Sequence, residues 1–260
     1  MSLVDTHCHI HDIEFSFDQK KVIKTAITAD VLQLICVGTS GEDSERAVAF
    51  VEDKAGMWAS VGLHPHDAKL SEDNFEPIAR LAGHSKVVAI GECGLDYHYN
   101  NSPKADQIQA LEYQLQLAQS VGKPCIFHVR EAFSDFWPIL DNFSGIKGVV
   151  HSFTASKTEV DECAKRDLYM GINGIMTFTK DETQLRAVRY IPIEKLVLET
   201  DSPFLTPTPL RGTINLPANV RLVAACLAEM RDETLTQLTE ATTQNAQQLF
   251  SLDTSELITF

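Results

Sequence analysis

Residues 87–95 read VVAIGECGL, four apolar residues followed by a glycine, a glutamate, a cysteine and a second glycine. Valine and isoleucine at this density, with turn-forming residues after them, predict a strand buried on both faces. Its first polar side chain, Glu92, comes at the far end. The same arrangement recurs on either side, at 4–10 (VDTHCHI), 32–38 (LQLICVG), 57–65 (MWASVGLHP), 124–130 (PCIFHVR), 146–153 (IKGVVHSF), 168–175 (LYMGINGI) and 195–201 (KLVLETD), which makes eight predicted strands. Polar stretches with apolar residues three or four apart lie between them. The clearest is 103–121, where Ile108, Leu111, Leu115 and Ala118 share one helical face, with Ser102 as the expected N-cap, Pro103 in the first turn, and Gly122 and Pro124 closing it.

Eight near-continuous apolar strands alternating with helices predict an α/β fold around a parallel sheet, and the number eight points to a (β/α)8 TIM barrel. An open doubly wound sheet is the alternative. No G-x-G-x-x-G follows the first strand and no G-x-x-x-x-G-K-[ST] occurs, so dinucleotide and P-loop readings have no support. Pro217 to Phe250 reads as two or three extra C-terminal helices. With no Gly/Ser-rich linker, residues 1–260 are expected to form a single domain.

The composition is that of an ordinary globular protein, 44% hydrophobic and 22% charged. Lys plus Arg number 22 against 36 Asp plus Glu, a net charge of −14, which repels polyanions at long range. No apolar run approaches the roughly 20 residues of a bilayer span, and MSLVDTHCHI lacks a basic, then apolar, leader pattern. The expectation is a cytoplasmic monomer with no membrane and no obligate protein partner. Six scattered cysteines without a C-x-x-C pair are expected to be reduced core residues. Cys8 alternates with His7 and His9 and should face away from them.

The polar residues that interrupt the strands gather at their C-terminal ends: His7 and His9 on the first, Glu92 on the fourth, His128 on the fifth, His151 on the sixth, Asp201 on the eighth. In a barrel those ends meet at one mouth. Four imidazoles and two carboxylates would be costly to bury without a cation, and they are a ligand set for divalent transition metals. Six ligands exceed what one tetrahedral ion takes, so two ions are expected. His7, His9 and Asp201 would hold one, His128 and His151 the other, with Glu92 bridging. Such a pair lowers the pKa of a shared water. Asp201 is the expected general base, and Asp201 and Glu92 the catalytic carboxylates.

The H-x-H at the first strand, G-L-H-P (62–65), G-E-C-G-L-D-Y (91–97), the histidines after strands five and six, E-T-D-S-P-F (199–204) and R-G-x-x-N-x-P (211–217) together resemble the TatD family, a branch of the amidohydrolase-like metallo-dependent hydrolases. The resemblance runs from about residue 3 to 250. It implies a TIM barrel with two divalent metals that hydrolyses phosphodiesters, as a deoxyribonuclease acting on DNA ends. His7, His9, Glu92, His128, His151 and Asp201 match its metal positions one by one. Two residues depart from the pattern: Cys93 stands where the family commonly has an aliphatic, and Thr213 where a lysine often follows Arg-Gly. Ligand softness favours Zn²⁺, Mn²⁺ or Fe²⁺ over Mg²⁺, whereas the family's nuclease activity is generally supported by Mg²⁺.

Around this set, His64, Arg130, Arg211 and Asn215 are expected to bind substrate phosphate, Arg130 bidentately unless Glu131 or Asp96 pairs with it. Glu199 and Asp96 are expected to orient ligand histidines. His66 and His84 read as loop or surface residues and His98 as a loop residue near the mouth. Tyr97 and Tyr99 either stack on nucleobases or pack on the rim. The competing function is a small-molecule metallo-hydrolase acting on an ester, amide or phosphotriester with the same fold and metals.

Overall fold

The computed structural model describes residues 2–12 and 18–259. The strands are β1 (Leu3–Cys8), β2 (Val31–Val37), β3 (Met57–Val61), β4 (Val87–Asp96), β5 (Cys125–Arg130), β6 (Gly148–Val150), β7 (Tyr169–Ile172) and β8 (Leu196–Leu198). The helices are α1 (Gln19–Thr28), α2 (Gly41–Val51), α3 (Ser71–Leu81), α4 (Lys104–Val121), α5 (Phe133–Asp141), α6 (Lys157–Lys165), α7 (Glu182–Tyr190), α8 (Val220–Met230) and α9 (Leu235–Phe250). One sheet takes all eight strands in chain order. The β1–β2, β3–β4, β4–β5, β5–β6 and β7–β8 pairs are parallel, and a parallel bridge from Cys8 to Ser202 sets β1 beside the end of β8. The fold is the expected (β/α)8 TIM barrel, with α8 and α9 as the predicted C-terminal helices.

Two compact units divide the chain. The first, Met1–Cys36, Lys54–Met57 and Ser152–Phe260, carries β7, β8, β1 and all of β2 before its last residue. Its core is Leu3, Leu34, Met170, Ile172 and Val197, with α9 packed on β1 and β8. The second, Val37–Asp53 and Trp58–His151, carries β4 to β6 and all of β3 after its first residue. Val61, Ile90, Leu111, Leu115 and Phe127 fill its core, where α4 packs on β4.

Several strands are shorter than the sequence predicts. Pairing stops at Val150 and Leu198, so His151 and Asp201 sit just past the ladders. There the chain turns through left-handed backbone at Ser152 (φ 49°) and Asp201 (φ 56°), the second being a residue type that tolerates it. Helix α4 starts one residue later than a Ser102 cap would give. Pro103 occupies the cap position in extended geometry, and the Ser102 hydroxyl instead donates to the His66 carbonyl and accepts from Lys69 N. Gly122 closes α4 at φ 66°, as predicted. Among the described residues no helix is long and apolar enough to cross a membrane.

Candidate metal centre

In the first unit, β1 alternation puts His7 and His9 on one side while Cys8 Sγ turns the other way, 3.4 Å from the Ile35 carbonyl. The two Nε2 atoms are 3.2 Å apart, and Asp201 Oδ1 is 3.6 Å from that of His7 and 3.4 Å from that of His9. Backbone bonds lock the three together, Asp201 N donating to the His7 carbonyl at 2.8 Å and His9 N to the Ser202 carbonyl at 2.7 Å. Two imidazoles and a carboxylate whose donor atoms converge within 4.8 Å fit a divalent transition ion by chemistry and by spacing.

Beneath this group lies Asp5, fully buried. Its Oδ1 accepts from Thr200 N at 2.8 Å and His7 N at 3.3 Å, and its Oδ2 from Thr200 Oγ1 at 2.6 Å. Burial pushes this carboxyl well above its ordinary range, against the Thr200 and His7 hydrogen bonds. Glu199, also buried, accepts at Oε1 from Ser152 N (2.6 Å) and Asn173 Nδ2 (3.3 Å). It thereby fixes the residue that follows His151. Gly171 makes room for it, because a Cβ there would fall inside the Glu199 carboxylate.

In the second unit Glu92 is the hub. Its Oε1 is 2.9 Å from His151 Nε2, 2.9 Å from His128 Nδ1 and 3.4 Å from His64 Nε2. His151 Nε2 and His128 Nδ1 are 3.4 Å apart. The opposite nitrogen of His128 is 2.9 Å from Asp96 Oδ2, which leaves Nδ1 facing Glu92, the carboxylate–histidine arrangement that orients a metal ligand. Asp96 Oδ2 is also 3.1 Å from His66 Nε2, while Oδ1 accepts from His98 N and Tyr99 N at 3.0 and 2.9 Å. Burial alone would raise the Asp96 pKa, but these bonds from His128, Tyr99 and His66 hold it well below the carboxylate range. Burial works against His128 as well, yet Asp96 and Glu92 raise its pKa. His64 is pushed down to about 4 by burial, with Glu92 pulling the other way.

Two buried glutamines of α4 brace this network. Gln114 accepts from Leu63 N at 2.7 Å and donates to the Leu63 carbonyl at 3.1 Å, and Gln107 does the same at Asp96 with 2.8 and 3.1 Å. Neither was singled out from sequence, where a glutamine in a helix carries no sign that its partner is a strand-end peptide. His66, read as a loop residue, belongs to the network through Asp96. Asp5 was missed for a similar reason, since its partner Thr200 is 195 positions away.

Of the expected substrate residues, His64 lies among the Glu92 and His128 donor atoms. Arg130 is exposed and stacks on Tyr99, its guanidinium 4.7 Å from the ring centroid. The exposed Arg211 stacks on Phe178 at 3.9 Å and donates to the Thr206 carbonyl at 2.8 Å. Asn215 is fully buried and spends its amide within the loop, donating to the carbonyls of Thr200 and Phe204 at 2.9 and 2.7 Å. Tyr97 packs on the rim, with its hydroxyl on Asp135 and Lys104 over its ring.

The model of the TatD related DNase family matches residues 4–251. The chain belongs to the TatD family. As a TatD-family protein it is a metal-dependent hydrolase, and its curated relatives carry names of that kind. A Bacillus subtilis protein called uncharacterized metal-dependent hydrolase YabD is 37% identical over 96% of this chain and 100% of its own. The 3'-5' ssDNA/RNA exonuclease TatD of Cronobacter sakazakii is 36% identical over 95% of this chain and 97% of its own. Among solved structures, the TatD homologue YJJV of Escherichia coli superposes with a TM-score of 0.90 at 28% identity, covering 96% of this chain and 98% of that one.

Proposed function

We propose that this TatD-family protein is a deoxyribonuclease that removes nucleotides from the ends of single-stranded DNA. The observation that carries the reading is the pair of ligand groups at the strand ends, His7, His9 and Asp201 in one unit and Glu92, His128 and His151 in the other. The relatives named as 3'-5' ssDNA/RNA exonucleases supply the substrate class.

Each group would hold one divalent ion, Zn²⁺, Mn²⁺ or Mg²⁺. Bound there, the ions supply Lewis-acid polarisation of the phosphoryl group and acidify water. Water oxygen attacks phosphorus as Asp201 accepts its proton, the P–O bond to the leaving sugar oxygen breaks with its electron pair staying on that oxygen, and the oxygen takes up a proton from solvent. Glu92 is the second catalytic carboxylate and Asp96 keeps the His128 ring turned toward it. Phosphate is held by Arg130, Arg211 and His64, while Asn215 holds the loop that carries Arg211. The chain acts as one catalytic domain, as a monomer in the cytoplasm, where its six free thiols stay reduced.

Purified protein supplied with Mn²⁺, Mg²⁺ or Zn²⁺ is expected to release mononucleotides from single-stranded DNA, and Asp201→Asn to lower kcat by about 10²-fold or more. No release with any of the three ions, and no effect of the substitution, would refute it.

The second reading, a small-molecule ester, amide or phosphotriester hydrolase, is favoured by the net charge of −14. A panel of DNA ends against acyl esters and phosphotriesters separates them, since turnover confined to the small compounds would establish the alternative.

A further inference from the structure

Tyr99 is 55% exposed, yet it lies against the histidine network. Its ring centroid is 4.8 Å from that of His98 and 5.4 Å from that of His66, and His66 is 6.1 Å from His128, so a largely exposed tyrosine is two ring contacts from a ligand histidine. The backbone holds it there through the bond from Tyr99 N to Asp96. Arg130 stacks on the same ring. The two carboxylates that could neutralise Arg130 are engaged elsewhere, Glu131 by His98 at 2.7 Å and Asp96 by His66 and His128. Among the described residues no carboxylate pairs with the Arg130 guanidinium. Tyr97, two positions earlier, shows the contrasting case, with its hydroxyl bonded to Asp135 and Lys104 3.7 Å above its ring.

We infer that Tyr99 and Arg130 form a nucleobase subsite in which the tyrosine ring stacks on an unpaired base and the guanidinium takes a phosphate of the same strand. The inference rests on the nuclease reading and deepens it. Only a base released from its stacking neighbours offers a free face, so the subsite selects single strands and frayed ends over paired duplex. The tyrosine–base stack also supplies affinity that does not depend on net charge, which this chain carries with the wrong sign for a polyanion.

The test uses two single-stranded oligodeoxynucleotides of equal length and phosphate count, one ordinary, the other with abasic tetrahydrofuran residues at the two terminal positions of both ends. Metal-loaded wild type is expected to show a KM roughly tenfold lower for the ordinary strand. Tyr99→Ala abolishes that ratio, and Tyr99→Phe and Tyr99→Trp restore it. Tyr190→Ala retains it, because Tyr190 on α7, 59% exposed beneath Lys157, repeats the tyrosine–cation pair with no histidine contact among those found for it. Arg130→Ala weakens both strands by one common factor and lowers the salt slope by about 0.7. A wild-type ratio near one, or a ratio that survives Tyr99→Ala, overturns the subsite while leaving the nuclease reading standing. Cleavage of neither strand by metal-loaded wild type overturns both.

Discussion

Asp5 reaches its neighbours through a backbone N–H of His7 and both donors of Thr200, so it sets the positions of two ligand-bearing segments without offering a ligand atom itself. Asp5→Ala would leave three buried donors unmatched and is expected to cost about 3 kcal/mol or more, read as a lower urea midpoint, with Asp5→Asn intermediate. At Asp96 the expected loss is in metal retention. Asp96→Ala frees the His128 ring, and competition with a chelator should show metal affinity 10–100-fold weaker, a range typical of carboxylates that orient metal histidines. The six candidate ligands were legible in the sequence because each interrupts an apolar run at a strand end. Asp96 was read from sequence as an orienting carboxylate, whereas Asp5 and His66 belong to networks whose partners only the fold brings near, and position in a motif does not disclose them. His64 was read as a phosphate contact, and nothing in G-L-H-P shows that its Nε2 would also stand 3.4 Å from Glu92.

Helix α4 shows how an element can be read correctly and still be misunderstood. Its end at Gly122 followed from the sequence, and Leu111, Leu115 and Ala118 are buried as the periodicity predicts. Ile108 is only half-buried, and Gln107 and Gln114 take places on the buried face. They mimic a strand edge, offering a carbonyl and an amide to the peptides at Asp96 and Leu63. Gln114→Leu keeps the volume but strands the Leu63 peptide, and the expected cost is about 2–3 kcal/mol by urea denaturation. By contrast, Gly122→Ala meets no atom within 4 Å. Its cost is conformational alone, about 1 kcal/mol from the positive φ, measurable as a lowered Tm.

For the molecule as a whole, charge and metal act together. Both ligand groups include a carboxylate, Asp201 in one and Glu92 in the other, in a chain already at −14. Divalent ions that bind the folded chain stabilise it by mass action, so chelation is expected to lower Tm by several degrees and Mn²⁺ or Zn²⁺ to restore it. The eight-strand architecture was legible from composition and spacing, because alternation of apolar strands with amphipathic segments is a property of whole stretches. Strand limits were not, since β6 and β8 are three residues each and the apolar pattern runs past the last ladder bond.

The clasp between Asp5 and Thr200 spans 195 positions. A contact so distant along the chain forms only after nearly all the intervening loop entropy has been overcome, and during synthesis it must wait for residue 200 to leave the ribosome. His64, Glu92, His128 and His151 are all made by residue 151, well before Asp201 exists to meet His7 and His9. The two ligand groups therefore have different birth times, and a nascent chain would complete the group around Glu92 before the group around Asp201.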